Sequence, residues 1–325
     1  MSRLGLVLAL MCALFGWERA AASDVWLDVD VGAGVPGRDV DDALAMIQTF
    51  HSPELTVRGV SAVYGNAPLK DGLPVARELA EKFGPPGLGV YAGAARASEL
   101  GESNDAVAAM AAALAEKPMT ILALGPVTNV GSLLRLHPDV ATRIDSIVMV
   151  AARRPGQRFT YPDNPGGPFR DFNFENDVEA MRILLESEID LVFAPWEVSS
   201  HVWITDEDLE RLRASGGSGA WIAEKSQSWI AMWRDQLGQE GFNPFDTLAV
   251  GWLTHPELIE SMRVGVWIAS GPDDTVAQDG ARVRDKAYLL VDAAREETRS
   301  ALYLVRPARG FKDFLIKRLA GREYR

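Results

Sequence analysis

The chain has 325 residues, of which 47% are hydrophobic and 24% are charged, and this balance is typical of a globular protein with a large core. We expect one large domain. The formal net charge of -12 argues against nucleic acids and anionic membranes as partners, because an acidic surface repels both. A small neutral or cationic ligand fits this charge better.

The chain opens with the pattern of a secretory signal peptide over residues 1–22. Arg3 supplies a positive start, an apolar run follows from Leu4 to Phe15, and small residues up to Ala22 form a cleavage site. The run is too short to span a membrane as a stable helix. We therefore predict an exported protein, periplasmic or secreted, whose mature part is a single domain over residues 23–325.

The only cysteine, Cys12, lies inside this signal segment. The mature protein would therefore have no thiol, disulfide or cysteine metal site. Lipid attachment at Cys12 is the rival interpretation, but Met11 before it is larger than the residue that such cleavage sites usually accept.

Runs rich in valine and isoleucine alternate with helical patterns over the first two thirds of the chain. Strands are predicted at 25–31, 56–63, 119–124, 147–150 and 191–194. Helices are predicted at 41–50, 73–83, 104–117, 127–136 and 177–186. This alternation predicts an α/β fold in which a mainly parallel sheet is flanked by helices. Ligands of such sheets bind beyond the carboxyl ends of the strands.

The pattern changes beyond Thr205. Helices are predicted at 206–213, 219–237 and 246–253, then strands at 264–269, 287–291 and 301–305, and a closing basic helix at 310–319. Before this region, residues 153–170 form a long loop rich in Pro, Gly and Arg. Loops of that length in a domain are often functional, so this loop is a candidate part of the site.

The strongest chemical signal is a group of aspartates at the end of the first strand and the start of the first helix. Its members are Asp28, Asp30, Asp39, Asp41 and Asp42. So many carboxylates within fifteen residues repel one another unless a cation separates them, and oxygen ligands without nearby Cys or His indicate calcium or magnesium. Helix capping explains one aspartate well, but it does not explain a further pair at the end of an apolar strand.

With these residues the chain resembles the inosine-uridine preferring nucleoside hydrolase family. That family begins with a strand ending in Asp-x-Asp-x-Gly, matched by Asp28, Asp30 and Gly32, and a helix with an Asp-Asp pair, matched by Asp41 and Asp42. Later matches, in family order, are Tyr64-Gly65-Asn66, Leu124-Gly125-Pro126-Val127-Thr128-Asn129, Asp171-Phe172-Asn173-Phe174, Pro195-Trp196-Glu197-Val198-Ser199 and Phe245-Asp246-Thr247-Leu248-Ala249. Each motif is weak alone, but the ordered set is specific, and it implies that family's open sheet.

The resemblance implies a calcium site. Asp30, Asp42 and Asp246 would supply carboxylate ligands, and the main-chain carbonyl of Leu124 would supply another oxygen. Asp30 would also act as the base for the attacking water.

The resemblance further implies a small-molecule substrate, a ribonucleoside or related N-riboside, hydrolysed to ribose and base. Asp41, counted with the catalytic residues, and Asn173 would bind ribose hydroxyls. Asn66 would help to orient the water, and Asp171 and Asn164 would reach the far side of the sugar. A homo-oligomer is compatible with the resemblance.

This set of groups also makes chemical sense without the family. Cleavage of an N-glycosidic bond passes through an oxocarbenium-like state, so the site needs an activated water and negative charge near the developing cation. Carboxylates and amides that bind the sugar hydroxyls hold the ring for attack.

The chain departs from the family pattern where the leaving base is protonated. Many members have a histidine immediately before the last aspartate, whereas Phe245 stands there in this chain, and the family's histidine after the third strand is missing. His201 is the one histidine expected near the cleft. Trp229 and Trp233 could stack on a base, but their spacing of four is more typical of a packing stripe.

Two other functions are compatible with parts of the pattern. A protein that binds ribose and calcium without turnover would explain the missing histidines. A phosphatase of the haloacid dehalogenase type also begins with Asp-x-Asp after a strand, but it needs a threonine at the place of Gly32, so we discount it.

Overall fold

The structure is a computed structural model that describes residues 22–161, 167–276, 284–295 and 298–321. The predicted signal segment, apart from its last residue, and Asn164 lie outside the described residues. Within the described ranges, no helix has both the length and the apolarity needed to cross a membrane.

The described strands are β1 (Ser23–Val29), β2 (Leu55–Ala62), β3 (Val90–Ala92), β4 (Met119–Ala123), β5 (Ile144–Met149), β6 (Leu191–Phe193), β7 (Ile204–Thr205), β8 (Gly241–Phe242), β9 (Ile259–Pro272), β10 (Asp285–Asp292) and β11 (Arg299–Pro307).

The described α-helices are α1 (Asp41–Phe50), α2 (Leu69–Phe83), α3 (Asp105–Glu116), α4 (Thr128–Leu136), α5 (Phe172–Asn176), α6 (Val178–Glu186), α7 (Trp196–Ser199), α8 (Asp206–Ser215), α9 (Gly217–Lys225), α10 (Gln227–Leu237), α11 (Thr247–Thr254) and α12 (Phe311–Leu319).

Nine of these strands form one twisted sheet in the order β10-β9-β11-β6-β5-β4-β1-β2-β3. All neighbours from β11 to β3 run parallel, and β9 pairs antiparallel with both β10 and β11. The mainly parallel α/β sheet predicted from the sequence is therefore confirmed. A small antiparallel pair, β7 and β8, lies apart from it.

Apolar side chains cover both faces of the sheet. In β1, Val25, Leu27 and Val29 pack into one core and Trp26 into the other, because successive side chains of a strand point to opposite faces. Helices α1, α9, α11 and α12 contribute to the first core, and α3, α4 and α6 to the second. This burial holds the carboxyl ends of the central strands at one fixed edge.

Two expected helices differ from the structure, and the strand predicted at 264–269 is longer, Ile259–Pro272. The helix predicted at 219–237 is two helices, α9 and α10, which meet at the buried Ser226. The break lets α9 bury Ile222 and Ala223 in the core while α10 turns Trp229 and Trp233 toward the site. The helix predicted at 73–83 begins earlier, at Leu69.

The C-terminal helix α12 bonds the chain just after the C-terminal end of α1. The guanidinium of Arg318 in α12 donates to the carbonyl of His51 at 3.0 Å and to Glu54 at 2.7 Å. The Nδ1 atom of His51 in turn lies 2.7 Å from the carbonyl oxygen of Arg318. These contacts hold the helix that presents Asp41 and Asp42 at its other end.

Candidate active site

The predicted acidic centre is assembled at the carboxyl edge of the sheet. Asp30 follows β1, Asp41 and Asp42 open α1, and Asp246 immediately precedes α11. All four are buried, and Asp42 Oδ1 accepts a hydrogen bond of 3.0 Å from the backbone N–H of Asp30. One carboxylate oxygen from each of Asp41, Asp42 and Asp246 lies within 4.8 Å of the other two.

Burial makes this centre unfavourable as a set of bare carboxylates. It raises the pKa of Asp30 to about 7 and that of Asp41 to about 8, and the charge of Asp42 adds to the rise at Asp41. Burial and the neighbouring carboxylates also hold the pKa of Asp42 and of Asp246 well above their usual range. A bound cation would remove this penalty.

The donors present fit a hard divalent cation. Asp246 Oδ2 is buried and has no hydrogen-bond partner among the described residues. A buried oxygen without a partner is free to bind a metal ion. The carbonyl of Leu124, just after β4, lines the same cavity and accepts from Asn173 Nδ2 at 2.6 Å, leaving its second lone pair. The three carboxylates that approach one another within 4.8 Å are those of Asp41, Asp42 and Asp246, whereas the resemblance implies Asp30 in the place of Asp41. Asp30 is linked to this group through its backbone N–H, which donates to Asp42.

Asn66 fixes the position of Asp30. Its backbone N–H donates to Asp30 Oδ2 at 2.7 Å, and its side-chain amide both accepts from the N–H of Asp39 at 2.9 Å and donates to the Asp39 carbonyl at 3.0 Å. Gly65 before it has φ +155°, and a Cβ atom there would collide with the Asp30 carboxylate. The Asn66 amide is therefore engaged with the backbone of Asp39, in the loop that leads to α1.

Asp171 and Asn173 lie on the opposite side of the cavity. Asn173 Nδ2 donates to the carbonyls of Leu124 and, at 3.2 Å, of Val150, so its remaining polar atom, the carbonyl oxygen, is left for a ligand. Asp171 Oδ2 accepts from the N–H of Ala152 at 2.9 Å. Ala152 has φ +79°, a left-handed conformation that costs free energy in a residue with a Cβ and is found at functional sites.

A partly buried ion network behind this segment was not anticipated from the sequence. Glu175 Oε1 accepts from the N–H of Asp171 and from Lys286 Nζ, both at 2.8 Å. Lys286 also lies 2.8 Å from Asp274, which pairs at 2.8 Å with the fully buried Arg153. The signal is spread over four distant segments, so no local pattern could reveal it.

Aromatic rings close the rest of the cavity, whose volume is about 470 Å³. We call this set the aromatic wall, and it consists of Phe159, Phe169, Trp196, Trp229, Trp233 and Phe245. The rings are joined through Tyr161 behind them, whose ring centroid lies 5.5 to 5.6 Å from those of Phe169, Trp196 and Trp233. The expected packing stripe on α10 is therefore part of the site.

His201 and the arginines of the 153–170 loop are not well placed to donate a proton to a leaving base. His201 is exposed, does not line the cavity, and has Nδ1 2.9 Å from the carbonyl of Glu197. Of the arginines in the 153–170 loop, Arg170 lines the cavity and bonds Glu175, while Arg154 is paired with Glu197 at 2.8 Å.

Asp28 and Asn129 belong to the scaffold. Asp28 is completely buried and accepts from Ser61 Oγ at 2.5 Å and from Asn129 Nδ2 at 2.8 Å. Asn129 Oδ1 accepts from the N–H of Ala94 at 2.8 Å. These bonds tie β1, β2 and α4 together below the carboxylate centre.

The chain is similar to known proteins over most of its length. The model of the inosine-uridine preferring nucleoside hydrolase family matches residues 25–301. The pyrimidine-specific ribonucleoside hydrolase RihA of Photobacterium profundum is 30% identical over a 314-residue alignment that covers 88% of this chain and 96% of that protein. RihA of Citrobacter koseri is 29% identical over the same shares.

Solved structures share the fold. A plant nucleoside hydrolase superposes with a TM-score of 0.73 at 20% identity, covering 92% of this chain and 99% of its own. The purine-preferring ribonucleoside hydrolase from Gardnerella vaginalis also gives 0.73, at 19% identity, with 92% and 98% covered.

Proposed function

This chain belongs to the inosine-uridine preferring nucleoside hydrolase family, and we propose that it hydrolyses the N-glycosidic bond of ribonucleosides or related N-ribosides with the help of calcium. It is a hydrolase that acts on N-glycosyl compounds. The observation that carries the proposal is the meeting of Asp30, Asp41, Asp42 and Asp246 with Asn173 around one cavity.

Calcium is supported by the donor set. Asp42, Asp246 and the carbonyl of Leu124, with Asp30 or Asp41, would hold it through oxygen atoms alone, as calcium prefers. A divalent cation bound there supplies charge that offsets the carboxylates and lowers the pKa of water.

Asp30 is the residue best placed to take the proton of the attacking water. It lines the cavity, and its second oxygen is held by the N–H of Asn66. A carboxylate fixed in this way keeps one orientation, which shortens the search for the productive geometry.

The ribose would be held between two sides of the cavity. Asp41 lies on the side of α1, whereas Asp171 and Asn173 lie at the start of α5 and bond the backbone just after β5. Acceptors on both sides suit a ring that carries several hydroxyl groups. The aromatic wall then takes the leaving group, since a nucleobase is flat and its faces are apolar.

The experiment is to measure release of free ribose from uridine, cytidine and inosine, first with calcium and then after chelation and dialysis. The name of the pyrimidine-specific relatives makes uridine and cytidine the first substrates to test. Release that depends on calcium supports the proposal. Full release after chelation contradicts the role of calcium, and no release from any riboside contradicts hydrolysis.

The alternative is a ribose-binding protein without turnover, and Phe245 at the place of the usual histidine is the observation that favours it. Calorimetry separates the two. Heat of nucleoside binding without product would favour the binding protein.

We also propose that the protein is exported through the segment at residues 1–22. Cell fractionation of the full chain beside a chain that begins at Ser23 is the test. Both forms in the same compartment would refute it.

A further inference from the structure

The cavity is unequal in its chemistry. Five of its six carboxyl groups come from the end of β1 and from the starts of α1 and α11, and the sixth, Asp171, comes from the start of α5. The aromatic wall comes from the 153–170 loop, α7 and α10, with Phe245 beside Asp246. A ribose bound at the carboxylates therefore directs its glycosidic nitrogen toward aromatic rings.

The described lining offers little that could protonate a leaving base. Besides six carboxyl groups it holds one cationic side chain, Arg170, and no His, Lys, Tyr or Cys. A guanidinium keeps its proton in proteins. Burial raises the pKa of Asp171, so this group can hold a proton, but it lies beside Asn173 on the side of the cavity proposed for the ribose, and it is not part of the aromatic wall. The other five carboxyl groups belong to the acidic group around Asp30.

The same lining favours a positive charge. Even without Asp171, five carboxyl groups stand against one guanidinium, and one divalent cation offsets only part of that excess. Aromatic faces attract cations, tryptophan most strongly, and this wall has three tryptophans. The wall already shows such a contact on Phe159, where the Arg153 guanidinium lies 4.1 Å from the ring centroid.

We propose that this chain prefers N-ribosides whose glycosidic nitrogen or its ring is positively charged, such as pyridinium ribosides and 7-alkylated purine ribosides. This inference rests on the proposed hydrolysis and adds its substrate class.

The chemistry balances without an acid. The water oxygen bonds to C1′ and its proton passes to Asp30, while the C1′–N bond breaks and its electron pair stays with the nitrogen. That pair cancels the positive charge of the ring, so the base departs neutral and takes no proton. A neutral nucleoside would instead leave as an anion, which is the step that a general acid normally assists.

The first test uses pairs that differ mainly in charge. We expect kcat/KM for 7-methylguanosine to exceed that for guanosine by about a hundredfold or more, the usual contribution of a general acid. A smaller ratio would overturn the inference. Failure of every riboside, including nitrophenyl riboside, would instead overturn the proposed hydrolysis, so the two failures are distinguishable.

The second test measures binding without turnover. In the Asp30→Asn variant, nicotinamide riboside should bind about tenfold more tightly than its reduced, neutral form. Adding Trp229→Leu should reduce that difference, because one of the three tryptophan faces is then lost. Trp229 is the suitable position because its indole N–H is buried and has no hydrogen-bond partner among the described residues, so the change breaks no bond.

Trp267→Leu is the matched control, since Trp267 lies on β9 outside the cavity, against Arg295. It should preserve the tenfold preference. Equal affinity for the charged and neutral forms in the Asp30→Asn protein would contradict the inference, even if Trp229→Leu failed to fold.

Discussion

Asp171 lines the proposed ribose site, and its burial lowers the stability of the folded protein when it is ionised. Burial raises its pKa to about 7, although Arg153 and the N–H of Ala152 act in the other direction. The unfolded chain loses this proton near pH 4, so between pH 4 and 7 the folded protein holds a proton that the unfolded chain has released. Stability contributed by this group therefore falls as the pH rises through that window.

Asp171→Asn should remove this penalty while keeping an acceptor for Ala152. We expect the variant to gain free energy of unfolding relative to the wild type, with a gain larger by about 2 kcal/mol at pH 8.5 than at pH 5.5. Urea unfolding at the two pH values measures it. A gain that is independent of pH would mean that the folded protein holds Asp171 ionised at both.

Phe245 is the residue whose replacement should restore a proton donor. It lines the cavity directly before Asp246, so a histidine there would lie among carboxyl groups that favour its protonated form. Phe245→His should raise kcat/KM for uridine by roughly ten- to hundredfold and change that for 7-methylguanosine by less than about threefold. Phe245→Leu is the control, and an equal gain in it would show that proton donation is not the cause.

At this scale the sequence is informative where residues lie close together in the chain. Asp30, Asp41 and Asp42 fall within one strand and the next helix, and their mutual repulsion is enough to indicate a bound cation. Glu175 and Lys286 give no such signal, because they are 111 residues apart in the chain. Tyr161 gives none because its role is to pack behind the rings of the site, several elements away in the chain.

Helix α5 is too short to hold itself in place, and the ion network does so. Its Glu175 receives the backbone N–H of Asp171 and the ammonium of Lys286, which belongs to β10. The antiparallel edge of the sheet thus supports the segment that carries Asp171 and Asn173.

Lys286→Met should loosen α5. We expect KM for ribosides to rise several-fold with a smaller change in kcat. We expect the free energy of unfolding to fall by about 1–3 kcal/mol, because Glu175 and Asp274 lose a largely shielded partner. Kinetics and urea unfolding measure both.

Lys82→Met serves as the control, since the Lys82–Glu78 pair is a solvent-exposed pair on one helix and should change stability by less than about 0.5 kcal/mol. Equal effects of the two substitutions would show that the ion network does not position α5.

The periodicity of the sequence predicts most strands and helices of the parallel part of the sheet, but it does not predict which strands lie next to each other. The strand β3 is not predicted as an element because it has only three residues, Val90–Ala92, and it pairs at the edge with β2. The antiparallel direction of β9 also could not be read from its composition, since direction depends on which edge the returning chain meets.

At the scale of the whole molecule, the proposed calcium ligands come from three distant parts of the chain. Asp42, Leu124 and Asp246 are brought together only by the fold. A cation bound by them would stabilise the native state over the unfolded chain, which cannot form the site.

Removal of calcium should therefore lower Tm, by about 5–10 °C if the metal is bound at a hundredfold excess over Kd. Thermal unfolding with calcium and with chelator measures the shift. Asp246→Asn should abolish the shift, whereas Asn173→Ala should keep it and lose affinity for ribose. The same shift in Asp246→Asn as in the wild type would mean that Asp246 is not a ligand.

The contact between α12 and α1 has a consequence for the order of synthesis. The ribosome makes Asp41 and Asp42 early, but Arg318, which bonds the chain at His51 and Glu54, emerges about 270 residues later. Lys286, which secures α5, is also late. A nascent chain stopped before residue 284 would contain every proposed catalytic carboxyl group but would lack Lys286 and Arg318, whose contacts hold α5 and α1 in place. We therefore expect activity only after the C-terminal strands and helix have docked.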